Sequence, residues 1–300
     1  MTINSLYKVI KSKKETYLVN SYTSSLLNGD IKRIAQKVGE EGVEVAIAAS
    51  ISNQNQTIYE IADLWFHSLV LMNKMNISIK DIENELEARN IKTEKFLIAG
   101  GNSTLLVQDC PQVKRELIIK KNLGNVEQIG FVGGNSLEMM GNELCINSTL
   151  AFASILGNQG KLKTSGLSKN VAFKNTSNKT SITFNMDFIK DRNIILFEGI
   201  GFVVNNKKMK DLKKTLMNYC NKYNLPAFGL IELNENKITP YVFVKGTESL
   251  FKETACGSGS IAASLYSGFN NIIQPTGEII KVSNKGNKFT VQAKVVKMKE

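Results

Sequence analysis

Five carboxylates, Glu40, Glu41, Glu44, Glu60 and Asp63, crowd into two short stretches, KVGEEGVE (37–44) and EIAD (60–63). Both lie in apolar-periodic sequence and read as helix, where residues three or four apart share a side. Glu41 and Glu44 are thereby neighbours, as are Glu60 and Asp63. Four oxygen donors on two facing helices make a hard-cation site. Magnesium prefers carboxylate oxygen and keeps waters that a phosphate can displace, so the implied chemistry is metal-assisted attack on phosphate. The plainer alternative is a pair of solvated helix faces. Against it, Glu40, Glu41 and Glu44 have little compensating base beyond Lys37, and like charges at that spacing cost stability unless a cation offsets them.

A second candidate chemistry rests on two cysteines. CINSTLAFASILG (145–157) and CGSGSIAASLYSG (256–268) align without gaps, matching the cysteine, a small polar triplet, an aliphatic residue, an alanine and the closing glycine. Each opens a helix, which implies two similar α/β halves with one cysteine at a helix N-terminus in each. The free N–H groups and positive dipole end there are expected to stabilise thiolate, lower its pKa and hold a carboxylate. Two such thiols across a cleft form an acid/base pair: one removes a Cα proton while the other delivers a proton to the opposite face. Asn147, Ser148, Gly257, Ser258 and Gly259 are small and allow close backbone approach. Inert packing is the competing reading of both cysteines.

The elements that must position these groups divide at about residues 91–95. Residues 1–90 read as helices: Ile31, Ile34, Val38, Val45 and Ile47 follow a helical repeat, Ile58 to Met75 is a second run, and Ile82 with Leu86 marks a third. Asn53 to Gln56 and Ser78 to Asp81 punctuate them. Beyond Thr93, strand-length runs such as FLIAG (96–100), STLLV (103–107), QIGFV (128–132), TSITF (180–184), NIILF (193–197), YVFVK (241–245) and EIIKV (278–282) dominate, with helices near 145–157, 208–223 and 256–268. Charge divides likewise. Residues 1–90 carry 10 Lys/Arg and 11 Asp/Glu, leaving 28 and 16 for the other 210. The lysines are scattered without aromatic interleaving, so a solvated surface is expected rather than nucleic-acid binding. No run approaches the roughly 18 to 20 apolar residues of a membrane helix, and the first residues lack a signal-peptide core. A cytoplasmic protein with no membrane partner is the expectation. The cysteines at 110, 145, 220 and 256 lack metal-ligand or disulfide-framework spacing.

The wording of the first region is specific. SYTSSLL (21–27), IAQKVGEEGVEVAIAA (34–49) and EIADLWFHSLVLM (60–72) closely resemble the phosphoribosyl-ATP pyrophosphohydrolases of histidine biosynthesis, members of the all-α nucleotide pyrophosphohydrolases. The resemblance implies an all-α bundle over residues 1–92, with Glu41, Glu44, Glu60 and Asp63 holding Mg2+ on the triphosphate of phosphoribosyl-ATP. Glu40 is then a catalytic neighbour, Lys37 a substrate contact, and Lys32 or Arg33 further phosphate contacts. Pyrophosphate would leave to give phosphoribosyl-AMP, and such small helical enzymes pair as homodimers. His67, one turn beyond Asp63 and the only histidine, is expected to make a structural hydrogen bond.

In the second region MMGNELCINSTLAFA (139–153) and KETACGSGSIAA (252–263) resemble the two cysteine motifs of the diaminopimelate epimerase family, and GGNSTLLV (100–107) resembles its segment whose Asn contacts substrate. The resemblance covers 96–300. It implies an α/β (α+β) fold of two pseudo-symmetric halves, Cys145 and Cys256 as opposed base and acid without pyridoxal phosphate or another cofactor, and Asn102, Asn147, Ser148, Gly257 and Ser258 around a small amino acid. Ile146 departs from the family's usual Gly, no Arg stands between Val244 and Cys256 to clamp a distal carboxylate, and Phe202 replaces a common His. An amino acid other than diaminopimelate is therefore expected, with histidine suggested by the first domain alone.

The chain thus reads as a multidomain fusion of a Mg2+-dependent pyrophosphohydrolase with a two-cysteine racemase. The alternatives are a general nucleotide pyrophosphatase for the first part and, for the second, a non-catalytic amino-acid-binding or regulatory module or a diaminopimelate epimerase.

Overall fold

The computed structural model describes residues 1–15, 21–122, 124–177, 179–206 and 209–298, without the side chains of residues 15 and 88. It separates into two compact units, Met1–Asn90 and Ile91–Glu300.

The first unit is helical: α1 (Ile3–Glu15), α2 (Tyr22–Asn28), α3 (Ile31–Ser50), α4 (Gln54–Lys74) and α5 (Ile79–Arg89). The starts are set by side-chain caps. Ser21, Asp30 and Asn53 accept from the N–H groups of Ser24, Lys32 and Gln56, satisfying donors that a helix start leaves free. Helices α3 and α4, joined by only Ile51–Asn53, fold back on each other as a hairpin. Their inner faces meet α1 and α2 in a core of Ile10, Leu26, Leu27, Ile34, Leu69 and Val70. Little of α3 is covered: only Ile34, Glu41 and Ala48 are buried on it.

The second unit repeats one pattern twice. In the first half, hairpin β1 (Thr93–Ile98) and β2 (Asn102–Gln108) leads through α6 (Gln112–Asn122) to β3 (Gln128–Gly133), which is parallel to β2. Strand β4 (Ser136–Met139) turns back, and α7 (Ile146–Ala153) crosses to β5 (Gln159–Thr164), parallel to β4. A meander of β6 (Val171–Thr176) and β7 (Lys179–Asn185) follows, then β8 (Phe188–Asp191). The second half follows the same order with one strand added. Hairpin β9 (Ile194–Phe197) and β10 (Ile200–Asn205), α8 (Leu212–Tyr223), and parallel β11 (Ala227–Asn234) come first. Then come β12 (Lys237–Val244), an added edge strand β13 (Ser249–Lys252), α9 (Gly257–Ser267), and β14 (Asn271–Ile273) parallel to β12. The meander of β15 (Ile279–Lys285) and β16 (Lys288–Ala293), and finally β17 (Val295–Lys297), complete it.

The halves are laced together. Strand β7 pairs with β16, β8 of the first half pairs with β9 of the second, and β17 of the second pairs with β1 of the first. Every residue of α7 is buried, and α9 is buried over most of its length, so each half is a curved sheet wrapped on one apolar helix. The repeat expected from the cysteine motifs is therefore architectural. Some details differ from expectation: α1, α2 and α6 were not individually foreseen, β1 begins at Thr93, and Leu212 opens the helix expected from 208, a residue outside the description. Among the described residues no helix is long and apolar enough to cross a membrane.

Candidate functional sites

The α3–α4 hairpin brings three carboxylates together. Donor oxygens of Glu41, Glu60 and Asp63 lie within 4.8 Å of one another, with Glu41 and Glu60 buried. Glu60 accepts from Gln56 one turn before it. His67 is wedged behind the group: its Nδ1 is 3.0 Å from the Asp63 carbonyl oxygen and 3.4 Å from Glu41 Oε1, and its Nε2 is 3.1 Å from the Tyr22 hydroxyl. A nitrogen between two acceptors must carry a hydrogen, so Nδ1–H donates inward, and in the neutral ring Nε2 then accepts from the Tyr22 hydroxyl. The structural hydrogen bond expected of His67 is present. Lys37 sits 2.8 Å from Glu40 and 3.9 Å from Glu41. Glu40, held also by Gln36 at 2.7 Å, is kept below the usual carboxylate range by those two contacts. The Lys37 ammonium is raised in turn by its bond to Glu40. Glu44 is exposed and lies outside the group of three.

All three donors are oxygen, and two carboxylates are buried close to a third, with the Lys37 ammonium 3.9 Å from Glu41 but bonded mainly to Glu40. Such a set suits a hard divalent cation.

In the second unit Cys145 and Cys256 are the residues that cap their helices. Cys145 Sγ accepts from the Ser148 N–H at 3.4 Å, and Cys256 Sγ from the Gly259 N–H at 3.2 Å. Sulfur is a weak acceptor in a place where Ser or Asp is preferred, so its presence at both caps weakens the cap while the side chains pack in the core. The two helix starts abut. A Cβ on Gly257 would lie 2.5 Å from Ile146 Cγ2, and Asn147 Nδ2 donates to the Ala255 carbonyl at 3.2 Å. Glycine at 257 is what lets Ile146 occupy the seam.

Around Cys145 one amide oxygen collects three donors. Gln128 Oε1 lies 2.9 Å from Cys145 Sγ, 3.2 Å from Ser148 Oγ and 3.4 Å from Thr104 Oγ1, and Thr104 also reaches Asn102 Oδ1 at 3.3 Å. At the other cysteine, the Cys256 N–H donates to Gln274 Oε1 at 3.0 Å and Ser258 Oγ lies 3.7 Å from the sulfur. Glu253, three residues before Cys256, is the acidic neighbour that raises that thiol. Three buried polar atoms near the cysteines have no hydrogen-bond partner in the protein: Asn102 Nδ2, Asn147 Oδ1 and Glu253 Oε2.

The expectation that the helix starts would lower the thiol pKa values is reversed. Burial raises Cys145 to about 12, against the opposing bonds from Ser148 and with added repulsion from Glu143 and Glu253. Burial and Glu253 likewise raise Cys256 well above the ordinary thiol. Desolvation of an anion outweighs one helix end when the surroundings are Ile146, Ala255 and Ile261. Glu253 itself is raised to about 7 by burial and by Glu127, with the Cys256 contact acting against the shift.

The sequence-derived residues thus fall in two places: Glu41, Glu60 and Asp63 with Lys37 and Glu40 alongside; and Cys145, Cys256, Asn102, Asn147, Ser148, Gly257 and Ser258 at the seam of the second unit. Phe202 is fully buried against Phe197, a packing role. Reading the sequence missed Tyr22, Gln128, Gln274 and Glu253. Gln128 opens an identified strand and Glu253 stands inside KETAC, but neither type signals chemistry by itself. Cys220, on the inner face of α8, is buried in a cluster with Phe228 and Leu230, and all four cysteines are free.

Comparison with known proteins agrees with this division. The second unit has the fold of a predicted epimerase from Pseudomonas aeruginosa, with a TM-score of 0.53 and 10% identity, covering 70% of this chain and 98% of that one. The phosphoribosyl-ATP pyrophosphatase of Clostridium acetobutylicum is 44% identical over 90 residues, 30% of this chain and 82% of the relative. A histidine biosynthesis bifunctional protein HisIE from Caldanaerobacter subterraneus is 42% identical over 87 residues, which span 42% of that protein's length. Residues 3–90 match the family Phosphoribosyl-ATP pyrophosphohydrolase. With the acidic group on α3 and α4 inside the matched span, the chain belongs through these residues to the phosphoribosyl-ATP pyrophosphohydrolase family.

Proposed function

We propose that the first unit hydrolyses phosphoribosyl-ATP to phosphoribosyl-AMP and pyrophosphate, and that the second inverts the α-carbon of an amino acid between Cys145 and Cys256. The first reading is carried by the three carboxylates within 4.8 Å in a chain of this family. Glu41, Glu60 and Asp63 would hold Mg2+, with Glu44, one turn along α3 from Glu41, as a fourth carboxylate. A bound Mg2+ offsets charge on the triphosphate and favours attack by water. His67 and Gln56 fix Glu41 and Glu60, Lys37 can neutralise a phosphate oxygen, and Glu40 can take a proton from the attacking water. A homodimer is supported by apolar side chains left in solvent on the same hairpin. Val43 and Ile47 on α3 and Ile51 at its C-cap recur every four residues, and Ile58 and Trp65 lie two turns apart on α4, all more than half exposed. Pyrophosphate release from phosphoribosyl-ATP, lost in Glu41→Gln, tests this; equal turnover of common nucleoside triphosphates would favour the general pyrophosphatase instead.

For the second unit, the supporting observation is the trio of unpartnered atoms. Asn102 offers a donor suited to a carboxylate, while Asn147 and Glu253 offer acceptors suited to an ammonium. An amino acid has both. Its carboxylate would also meet the N–H groups of Gly257 and Ser258. Candidate L-amino acids, histidine included, are incubated with the protein in deuterium oxide. Cα exchange that Cys256→Ala abolishes supports racemisation, whereas tight binding without exchange points to a binding or regulatory module.

A further inference from the structure

The seam between the two helix starts is edged by charge of one sign. Glu127, the residue before Gln128, is tied to both halves: its Oε2 accepts the Ser103 N–H at 3.0 Å and its Oε1 the Thr254 hydroxyl at 3.3 Å. Those partners flank the candidate site, since Ser103 follows Asn102 and Thr254 stands two residues before Cys256, within about 7 Å of it from Cα to Cα. The approach is close, and a Cβ on Gly101 would lie 2.8 Å from Thr254 Oγ1. Two bonds use about half of what a carboxylate can accept, so Glu127 keeps lone pairs for a ligand. Glu253, next to Thr254, has its buried Oε2 without a partner. Cations are committed elsewhere. Lys252 lies 5.9 Å over the Tyr241 ring, Lys95 donates to the Asn125 carbonyl at 3.2 Å, and Lys294 pairs with Glu278 at 2.9 Å. Among the described residues neither Glu127 nor Glu253 has a Lys, Arg or His partner.

We propose, on the amino-acid reading above, that the substrate of the second unit is a basic amino acid whose side-chain cation is received by Glu127. The groups around the seam divide by what they can pair. The α-carboxylate has Asn102 Nδ2 and the N–H groups of Gly257 and Ser258, and the α-ammonium has Asn147 Oδ1 and Glu253 Oε2. Glu127 is left over. Helices α7 and α9 carry no charged residue to offset it, so two carboxylates without a protein cation hold a net cation better than a zwitterion. A lysine or ornithine side chain is long enough to run from the Cys256 end of the seam to Thr254, whose hydroxyl holds Glu127. A second carboxylate on the substrate would instead meet anions, and no arginine stands between Val244 and Cys256 to receive it. Acidic amino acids are disfavoured on the same ground.

The test compares substrates that differ in one terminal group. L-Ornithine and L-norleucine have stems of equal length, ending in ammonium and methyl. In deuterium oxide, kcat/KM for Cα exchange by the full chain should be at least about tenfold higher for ornithine or lysine than for norleucine, the worth of one hydrogen bond between charged groups, and lowest for glutamate. In Glu127→Gln the ratio of ornithine to norleucine should fall about tenfold, a change in preference that a general loss of folded protein does not produce. Calorimetry with the same ligands reads the preference without catalysis. Norleucine exchanged or bound as well as ornithine and lysine overturns the proposal and leaves the racemase reading standing. So does a preference that Glu127→Gln does not alter. Binding of ornithine or lysine that depends on Glu127, without Cα exchange, keeps the basic ligand and removes the racemase reading. Neither binding nor exchange of any basic amino acid overturns the proposal, and exchange of neutral ones in that case would preserve the racemase.

Discussion

Gly257→Ala tests whether the abutting helix starts are built as described. The added Cβ would lie 2.5 Å from Ile146 Cγ2, 2.6 Å from Ile146 Cβ and 3.0 Å from Asn147 Oδ1. Carbon atoms prefer about 3.5–4.0 Å, so the seam must open by about 1 Å. Ile146 is 3% exposed and cannot swing into solvent. Overpacking of this kind costs about 1–3 kcal/mol. For a unit of this size, that lowers the melting midpoint by roughly 2–12 °C. Trp65, the only tryptophan, lies in the first unit, so its fluorescence serves as a control while near-ultraviolet circular dichroism follows the aromatic core of the second during urea unfolding. The partner change Ile146→Gly also destabilises, by about 2–5 kcal/mol from lost burial. Together the two should cost at least about 1 kcal/mol less than their sum, because the clash has gone. A Gly257→Ala protein within about 0.5 kcal/mol of the parent, or strict additivity, would refute the packing argument.

Three further outcomes are expected. Tyr22→Phe removes the hydroxyl 3.1 Å from His67 Nε2, so His67 and Glu41 lose orientation; Mn2+ affinity measured by calorimetry should fall about three- to tenfold with the helical content unchanged. Glu253 is raised to about 7 when folded, so the folded unit binds its proton more tightly than the unfolded chain does. Stability is then greatest below the unfolded value and falls by up to about 3 kcal/mol as pH rises from roughly 4.5 to 7, a slope that Glu253→Gln should remove from urea unfolding. Ile47→Asp puts a charge in the exposed apolar stripe of α3 and should lower the sedimentation coefficient to that of a monomer; a monomeric parent would count against the homodimer.

How much of this was legible beforehand follows from periodicity and from residue type. The α3–α4 hairpin was readable because its helices carry both an apolar repeat and capping residues, and its acidic residues have few other uses at such density. The repeat around Cys145 and Cys256 was readable because the buried helices leave nearly identical small-residue text. Helix α6 was not, since QVKRELIIKKN buries only Ile118 and carries no amphipathic pattern. Glu44 illustrates a different limit: helical spacing from Glu41 gives a shared side, yet only Glu41 is buried. The thiol environment was misjudged because a dipole can be inferred from sequence while the desolvation opposing it depends on the closed packing of both halves. Glu253 illustrates the same point, being an ordinary acidic residue until the chain after strand β13 buries one of its oxygens.

The lacing of the second unit also governs when it can form. Strand β1 has β2 on one side and receives its other neighbour only from β17, about two hundred residues later, while β8 waits for β9. The first half cannot finish its sheet until residues 295–297 have been synthesised, a long-range pairing that slows folding and leaves an open edge meanwhile. The helical unit ahead of it needs no such partner and can fold as soon as its own residues emerge. On the ribosome, then, the carboxylate site can be assembled while the cysteine seam is still two unjoined edges.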